Sequence, residues 1–384
     1  MAPTRLAVVC SHPIQYYAPW FVDLARRPEL KVKVFYLWDF GVTDTLDREF
    51  GRVIKWDIPL LNDYDLSFVP NTSSDPGTHH FFGLRNPDLL KQIDAFAPHA
   101  VLLLSYNFFA TLELILRRWR RWPLIFRGDS NRLTKRHGIK DWLKARLVSS
   151  IFSRLRACLY VGMANREYFL QHGVASNKLF FAPHSIDVER FANARVIHAQ
   201  AALKLREQLG LIQSDRLALF VGKLEWQKDP HTLLAAFSQL EDQRFHLLIV
   251  GDGALEPKLK ASAPPRTHFL GFQNQLAMPS VYAAAEVLLL PSISETWGLV
   301  INEALAAGTP VIVSDQVGCH FDLVENGESG FVVPAGDSQA LAVALERVLS
   351  DDALREKFRL RGTQIAQRYT YAHATDGLLR VLDL

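Results

Sequence analysis

The chain has 384 residues, of which 49% are hydrophobic and 22% are charged, and its formal net charge is +3. The length favours two domains, and the ordinary composition excludes a disordered chain. The only apolar run near the start is Leu6 to Cys10, and no run elsewhere approaches 18 residues, so neither a signal peptide nor a spanning helix is predicted.

Short apolar runs separated by helix-like segments form two series along the chain. The first series is 6–10, 32–38, 100–106, 124–128, 158–162 and 179–183, and the second is 217–224, 245–253, 267–272, 286–292, 310–315 and 330–334. Such runs are typical of parallel strands buried on both faces. The sequence therefore predicts an α/β protein with two doubly wound, Rossmann-like domains, and a ligand-binding cleft where the carboxyl ends of their strands face each other.

The predicted domains are residues 1–190 and 191–365, followed by a C-terminal helix within 366–384 that packs back toward the first domain. The three cysteines, Cys10, Cys158 and Cys319, are far apart and do not have the spacing of metal ligands. They are predicted to be small core residues in a reducing cytoplasm.

Two lysines and a glycine pair follow the first two strands of the second series. Lys223 and Lys228 precede a helical pattern and suit a diphosphate near a helix N-terminus, although two solvated loop lysines are the alternative. Gly251 and Gly253 begin a dinucleotide-binding pattern, but Glu256 stands where its third glycine belongs. We therefore do not predict NAD binding.

The segment PSISETWGLVINEALAAGTPVIVSD, residues 291–315, places Glu295 and Glu303 on either side of Gly298 at a strand-to-helix turn. A glycine lets the backbone approach a ligand, and the amides of Gly298 and Leu299 can face an anion. Glu303 lies about one helical turn further, within reach of a ribose. The alternative is that Glu295 only complements the helix dipole and Glu303 is an exposed helical acid.

Five motifs carry a family resemblance: GKLEWQK, VGDG, FLGF, the 291–315 segment and ENGESGFVVPAGD. In this order and spacing they resemble the donor half of the retaining glycosyltransferases of family 4, which have the GT-B fold, and they cover nearly all of the second domain. The resemblance implies a retaining hexosyltransferase that moves a hexose-type sugar from a nucleotide-sugar donor to a hydroxyl of a glycan or lipid-linked acceptor. Cell-envelope or polysaccharide biosynthesis is the setting it implies.

The resemblance also implies roles for particular residues. Glu295 would contact the donor hexose, the amides of Gly298 and Leu299 the diphosphate, and Glu303 the ribose. Lys223 and Lys228 would be the family's paired basic residues at the donor, and Phe272 would belong to the nucleobase pocket.

The first domain departs from the family pattern. The loop CSHPIQYYAPWF has no glycine, and Arg127 and Asp129 stand where the family histidine is expected. Asp129 is predicted to be catalytic together with Glu295, and His12 and Arg127 to bind the acceptor, although His12 could have a local structural role. His184 and Asp187 fall in the interdomain segment and are predicted to be hinge residues.

No metal or other cofactor is expected, because lysines and helix dipoles already neutralise the diphosphate. Asp63 and Asp65 match the metal-binding pattern of the other large glycosyltransferase fold. They follow no predicted strand, so a solvated turn is predicted there. Two other functions remain open: a sugar-nucleotide epimerase of the same fold and a catalytically silent binding protein.

Charge is concentrated between residues 117 and 166, where 14 basic residues accompany only Asp129 and Asp141. An apolar residue recurs every four positions from Ile139 to Leu155, and Trp119, Trp122 and Trp142 lie among the basic residues. A surface helix packed on its sheet is one interpretation. The other is that 117–158 contacts an anionic membrane, which places the protein peripherally on the inner face of the cytoplasmic membrane. No nucleic-acid recognition motif is present.

Overall fold

The computed structural model describes residues 2–43, 46–47, 52–53, 55–133 and 138–383. The strands are β1 (Thr4–Cys10), β2 (Leu30–Tyr36), β3 (Leu46–Asp47), β4 (Arg52–Val53), β5 (Asp65–Phe68), β6 (Ala100–Leu103), β7 (Leu124–Gly128), β8 (Ala157–Tyr160), β9 (Leu179–Phe181), β10 (Arg216–Val221), β11 (Phe245–Val250), β12 (Thr267–Gly271), β13 (Val287–Leu290), β14 (Val311–Ser314) and β15 (Gly330–Val333).

The helices are α1 (Ala18–Ala25), α2 (Leu89–Phe96), α3 (Phe109–Arg118), α4 (Ile139–Phe152), α5 (Met163–Gln171), α6 (Val188–Phe191), α7 (Ala194–Ile197), α8 (Ala199–Gln208), α9 (Pro230–Phe237), α10 (Glu256–Ser262), α11 (Met278–Ala284), α12 (Leu299–Ala306), α13 (His320–Leu323), α14 (Ser338–Ser350), α15 (Asp352–Ala366) and α16 (Tyr371–Leu382). None of those in the described ranges is long and apolar enough to cross a membrane.

The first sheet has seven strands in the order β5-β2-β1-β6-β7-β8-β9, and all its neighbouring strands run parallel. Helices α1 and α16 supply core side chains to one side, and α2 to α5 supply them to the other. Covering both faces explains why most of these strands read as uninterrupted apolar runs.

The second sheet has six parallel strands in the order β12-β11-β10-β13-β14-β15. Its core includes side chains of α9 and α14 packed on the strands. Every apolar run of the two predicted series overlaps a strand. The prediction of an α/β protein with two parallel sheets is therefore confirmed.

The chain forms two compact units. One comprises Met1–Leu46, Val53–His184 and Tyr371–Leu384. The other comprises Ser185–Thr370 together with Asp47 and Arg52. Helix α16 belongs to the first unit, where Thr375 Oγ1 accepts a hydrogen bond from Trp20 Nε1 of α1 at 3.1 Å.

Strand β5 was not predicted from the sequence. The prediction that Asp63 and Asp65 form a solvated turn outside any strand is wrong for Asp65, which begins β5 and pairs with Lys33 of β2, Nζ to Oδ1 3.4 Å. This strand lies at the edge of the sheet, and Asp65 and Phe68 at its ends are exposed. An edge strand needs no continuous apolar run, so its sequence carries no strong signal.

Candidate functional site

The strand order of the second sheet reverses between β10 and β13. In doubly wound sheets, ligands bind at the carboxyl ends of the two strands that flank such a reversal. The loops after these strands are joined, because Ile293 N donates to Gln227 O at 2.9 Å. Lysine and glutamate side chains from the two loops then meet: Lys228 Nζ contacts Glu295 Oε2. The structure thus brings together two of the predicted donor-binding residues.

These two side chains are accessible but not freely solvated. The side chain of Lys228 is 25% exposed and that of Glu295 is 14% exposed. Lys223 is half-buried in the same loop. An ion pair in partly desolvated surroundings is screened less than one on an open surface. The loops therefore present both a cation and a carboxylate to any ligand at this edge of the sheet.

Helix α12 begins next to Glu295. Gly298 precedes it with φ +100°, and a Cβ there would lie 3.0 Å from Leu290 Cδ2 and 3.1 Å from Val317 Cγ1. The positive φ therefore favours glycine, and the space for a side chain there is tight. The first amides of a helix have no intrahelical acceptor and carry its positive partial charge. The amide of Leu299 is one of these, and this end of the helix suits an anionic group.

Glu303 lies inside α12 and is 1% exposed. Its Oε2 accepts a hydrogen bond from the hydroxyl of Tyr282, at 2.6 Å, and Tyr282 of α11 is itself fully buried. The interpretation of Glu303 as an exposed helical acid is therefore wrong. A buried carboxylate is costly unless hydrogen bonds stabilise it, and nothing in the local sequence indicated that Tyr282 would supply one.

Two further loops complete this edge of the second sheet. Phe272 is half-buried after β12, and its backbone N donates to Asp252 Oδ1 at 2.9 Å. The glycines after β11 serve backbone packing, because a Cβ on Gly251 would lie 2.0 Å from Gly222 O and one on Gly253 2.5 Å from Leu224 O. This close approach accounts for the Gly-x-Gly pattern without a dinucleotide. Asp252 was not singled out in the sequence.

In the first unit, Arg127 is the last but one residue of β7 and is 2% exposed. Its Nη2 donates to Pro183 O at 2.7 Å, and its Cζ lies 4.8 Å from the centre of the Trp20 ring. Tyr17 also lies close to the guanidinium, with Arg127 Cζ 5.5 Å from the centre of its ring. Burial lowers the pKa of Arg127, yet a guanidinium remains charged in proteins. Arg127 thus holds a positive charge inside the unit.

Asp129 follows β7 directly, and its side chain is 39% exposed. His184 lies beside it, with Nε2 3.9 Å from Asp129 Oδ2, and stacks on Tyr17 at 6.1 Å between ring centres. Burial, and then the charge of Arg127, lower the pKa of His184 well below its usual value. A neutral imidazole therefore stands next to this carboxylate.

The two residues predicted to form a hinge have different surroundings. His184 ends the first unit and belongs to the cluster around Asp129, which the hinge prediction did not anticipate. Asp187 caps helix α6 by accepting from Arg190 N at 3.2 Å. The signal available for His184 was its position directly after the last apolar run of the first series, 179–183.

His12 lies after β1, with Ser11 Oγ 3.0 Å from its Nδ1. Its ring meets those of Trp38 and Phe40 edge to face, with ring centres 5.9 and 5.3 Å apart. Both aromatic residues follow β2, so the packing of neighbouring strands brings them to His12. The side chain is half-buried and retains access to solvent.

Helix α4 carries an exposed apolar surface in its first half. Ile139 is 76% exposed, and Trp142, Leu143 and Leu147 are each more than half exposed, whereas Ile151 is buried. The simple packed-helix interpretation is therefore wrong for this half. Trp122 is only 6% exposed and belongs to the core, so its assignment to a membrane-facing surface is also wrong. Residues 134–137 of the basic segment lie outside the described residues.

The segment that carries the predicted donor-binding residues matches a known family profile. The profile described as "Glycosyl transferases group 1" matches residues 202–365. Residues 202–365 are therefore similar to members of this family. This group 1 segment includes the Lys228–Glu295 pair, the start of α12 and the buried Glu303.

Relatives named as sugar transferases are similar to part of the chain. A phosphatidyl-myo-inositol mannosyltransferase of Mycobacterium leprae is 35% identical over 175 residues, which are 44% of this chain and 46% of that protein. A D-inositol 3-phosphate glycosyltransferase of Corynebacterium urealyticum is 32% identical over 209 residues, 51% of this chain and 48% of that protein. The chain spans about half the length of these curated relatives.

The likeness in fold extends over both units. The Anabaena protein HepE, in a crystal structure with UDP and glucose, has a TM-score of 0.75 and 19% identity, and 99% of each chain is covered. At this identity the likeness concerns the fold alone. The prediction of the GT-B fold class, with two Rossmann-like domains, is confirmed.

Proposed function

We propose that this protein is a retaining glycosyltransferase that moves a hexose-type sugar from a nucleotide-sugar donor to a hydroxyl of a glycan or lipid-linked acceptor. Cell-envelope or polysaccharide biosynthesis is the proposed setting. One observation carries the proposal: Lys228, Glu295 and the N-terminus of α12 converge where the strand order of a group 1 segment reverses. The crystal structures of HepE with UDP and with UDP-glucose support a donor of this class.

The donor would be held along the carboxyl ends of β10 and β13. Lys223, Lys228 and the amides of Gly298 and Leu299 neutralise the diphosphate. Because Lys228 already contacts Glu295, its move toward a phosphate leaves the Glu295 carboxylate to accept hydrogen bonds from the hexose. The ribose lies next to Glu303, and the base lies next to Phe272.

Retention means that the acceptor attacks from the side on which the nucleotide leaves. The departing diphosphate can then accept the acceptor proton, so no strong base is needed on the opposite face. We assign Asp129 the stabilisation of the positive charge that develops on the sugar, with Glu295 as the second catalytic residue. A fixed charge aimed at the reacting centre is worth about 2.7 to 4 kcal/mol.

His12 is the proposed acceptor-binding residue in the first unit, since its ring is half-buried next to two aromatic side chains. Arg127 was expected to share this role. With 2% exposure it is the weaker candidate, and we assign it electrostatic support of Asp129. No metal is proposed for transfer.

The exposed start of α4 is the proposed membrane contact. Trp142 and Leu143 lie among Lys140, Lys144 and Arg146 in this helix. Each basic residue near an anionic surface contributes about 1 kcal/mol, and buried apolar side chains add to this. The protein would act in the cytoplasm, peripherally on the inner face of the membrane.

A panel of sugar nucleotides with uracil, guanine and adenine bases tests the function. Binding, donor hydrolysis, epimer formation and transfer to glycan and lipid-linked acceptors are scored, with and without EDTA. We expect transfer with the donor's anomeric configuration kept in the product by NMR, and turnover that survives EDTA. An inverted product would overturn the retaining mechanism.

Other outcomes identify the alternatives. Conversion of the donor to an epimer without transfer identifies an epimerase, and binding without any turnover identifies a silent protein. A loss of activity in EDTA that added metal restores would show that activity requires a metal ion. Variants of Asp63 and Asp65 would then be tested for the loss of this metal dependence.

A further inference from the structure

The loop between β5 and α2 gathers three side chains with metal-binding chemistry. They are Asp75, His79 and His80, and their ligand atoms all lie within 4.8 Å of one another. Among the described residues, this is the one such group of three. All three belong to the first unit, whereas the proposed donor-binding residues belong to the second.

The spacing of these atoms matches a tetrahedral site. His79 Nε2 lies 3.0 Å from Asp75 Oδ2, and His80 Nε2 lies 3.5 Å from the same oxygen. Nitrogen and oxygen ligands about 2.0 to 2.1 Å from a tetrahedral Zn²⁺ stand about 3.4 Å apart. The two measured separations bracket this value, so an ion could enter with small movements of the side chains.

The loop backbone holds this arrangement. Gly77 has φ +157°, and a Cβ there would lie 2.5 Å from His79 Nδ1, so the imidazole packs directly over the Gly77 backbone. The side chain of Asn71 closes the base of the loop by donating to Gly83 O at 2.8 Å and accepting from Arg85 N at 3.0 Å. A site that is already assembled loses less conformational freedom when it binds a ligand.

Hydrogen bonds to Asp75 orient both imidazoles. His79 Nε2 lies 3.0 Å from Asp75 Oδ2, whereas His80 Nε2 lies 2.9 Å from the backbone oxygen of Asp75 and 3.5 Å from Oδ2. Exposed pairs of this kind contribute little stability, so an ion that takes their place at the two Nε2 atoms displaces them at small cost. All three side chains are between 36% and 45% exposed, which leaves a path for an ion and room for a water ligand.

We propose that Asp75, His79 and His80 bind a divalent transition-metal ion of the Zn²⁺ type, with water in the fourth position. Two imidazole nitrogens and a carboxylate oxygen suit Zn²⁺ and similar divalent transition-metal ions. They select against Mg²⁺ and Ca²⁺, which prefer oxygen ligands alone. The ion ties together the loop segment 75–80, directly before the short turn Phe81–Gly83. It is a structural site, separate from sugar transfer.

Calorimetric titration of the full, untagged chain with ZnCl₂ tests this proposal, after treatment with EDTA and removal of the chelator. We expect one Zn²⁺ per chain at this site. In His79→Gln and in His80→Gln, its affinity should fall more than about a hundredfold, since the loss of a group that only orients a ligand already costs about 10- to 100-fold. MgCl₂ should give no binding at the site.

The matched control is the double variant His231→Gln, His373→Gln, which removes two exposed imidazoles elsewhere. It should bind Zn²⁺ as the parent does. Substitution with Co²⁺ gives a second readout, because tetrahedral coordination produces visible absorption that the His79→Gln, His80→Gln double variant should lack. Equal Zn²⁺ binding by the His79→Gln, His80→Gln variant and the parent would overturn the proposal. An equal loss of Zn²⁺ affinity in this variant and in the His231→Gln, His373→Gln control would also overturn it.

Discussion

Replacing Glu303 with Gln isolates the role of its charge in nucleotide binding. Ala would leave the hydroxyl of Tyr282 buried without its acceptor, at a cost of about 1 to 3 kcal/mol in stability, and would also open a cavity in α12. Gln has nearly the same shape, and its Oε1 can accept from the Tyr282 hydroxyl that now lies 2.6 Å from Glu303 Oε2. We therefore expect the free energy of unfolding to change by less than about 1 kcal/mol.

The effect on binding follows from the loss of charge. Hydrogen bonds to a charged group contribute about 1.5 to 3 kcal/mol, and those between neutral groups about 0.5 to 1.5 kcal/mol. Glu303→Gln should therefore weaken binding by about 1 to 1.5 kcal/mol, which is about five- to twelvefold in Kd. Because the ribose is common to both ligands, the bare nucleotide diphosphate and the nucleotide-sugar should be affected by the same factor.

Tyr282→Phe is the matched control. It removes the same buried hydrogen bond but keeps the carboxylate, so it should lower stability by about 1 to 3 kcal/mol and leave nucleotide affinity nearly unchanged. Calorimetric titration with UDP, GDP and ADP measures affinity, and denaturant unfolding measures stability. Equal affinity of Glu303→Gln and the parent for the best bare nucleotide would refute the ribose assignment.

Three further predictions concern catalysis and membrane contact. Asp129→Asn should lower turnover about a hundredfold or more with nearly unchanged donor affinity, because it removes an electrostatic contact made in the transition state; a fully active variant would move the catalytic assignment elsewhere. Glu295→Gln should lower turnover and spare binding of the bare nucleotide, measured by the same titration, and an equal loss of both would indicate a folding defect instead. The double variant Trp142→Ser, Leu143→Ser should sediment less with phosphatidylglycerol vesicles than the parent does. The control Leu203→Ser, which alters an exposed side chain of α8, should sediment as the parent does. Equal sedimentation of all three proteins would contradict the membrane proposal.

The sequence alone determined the strands of both sheets wherever burial was complete. A strand covered on both faces must be apolar throughout, so β1 and β10 were readable from a few consecutive residues. The edge strand β5 needs no such run and was missed. The turn at Gly298 was also readable, because its positive φ is a matter of local backbone geometry.

Only the tertiary structure decided which side chains meet. Lys228 and Glu295 are 67 positions apart, and the adjacency of β10 and β13 in the sheet brings them into contact. The same holds for Tyr282 with Glu303 and for Asp129 with His184, whose partners lie on different elements. Residue type and spacing along the chain carry the chemistry of each group, whereas burial, charge state and partner depend on strand order and helix packing, which no short stretch of sequence contains.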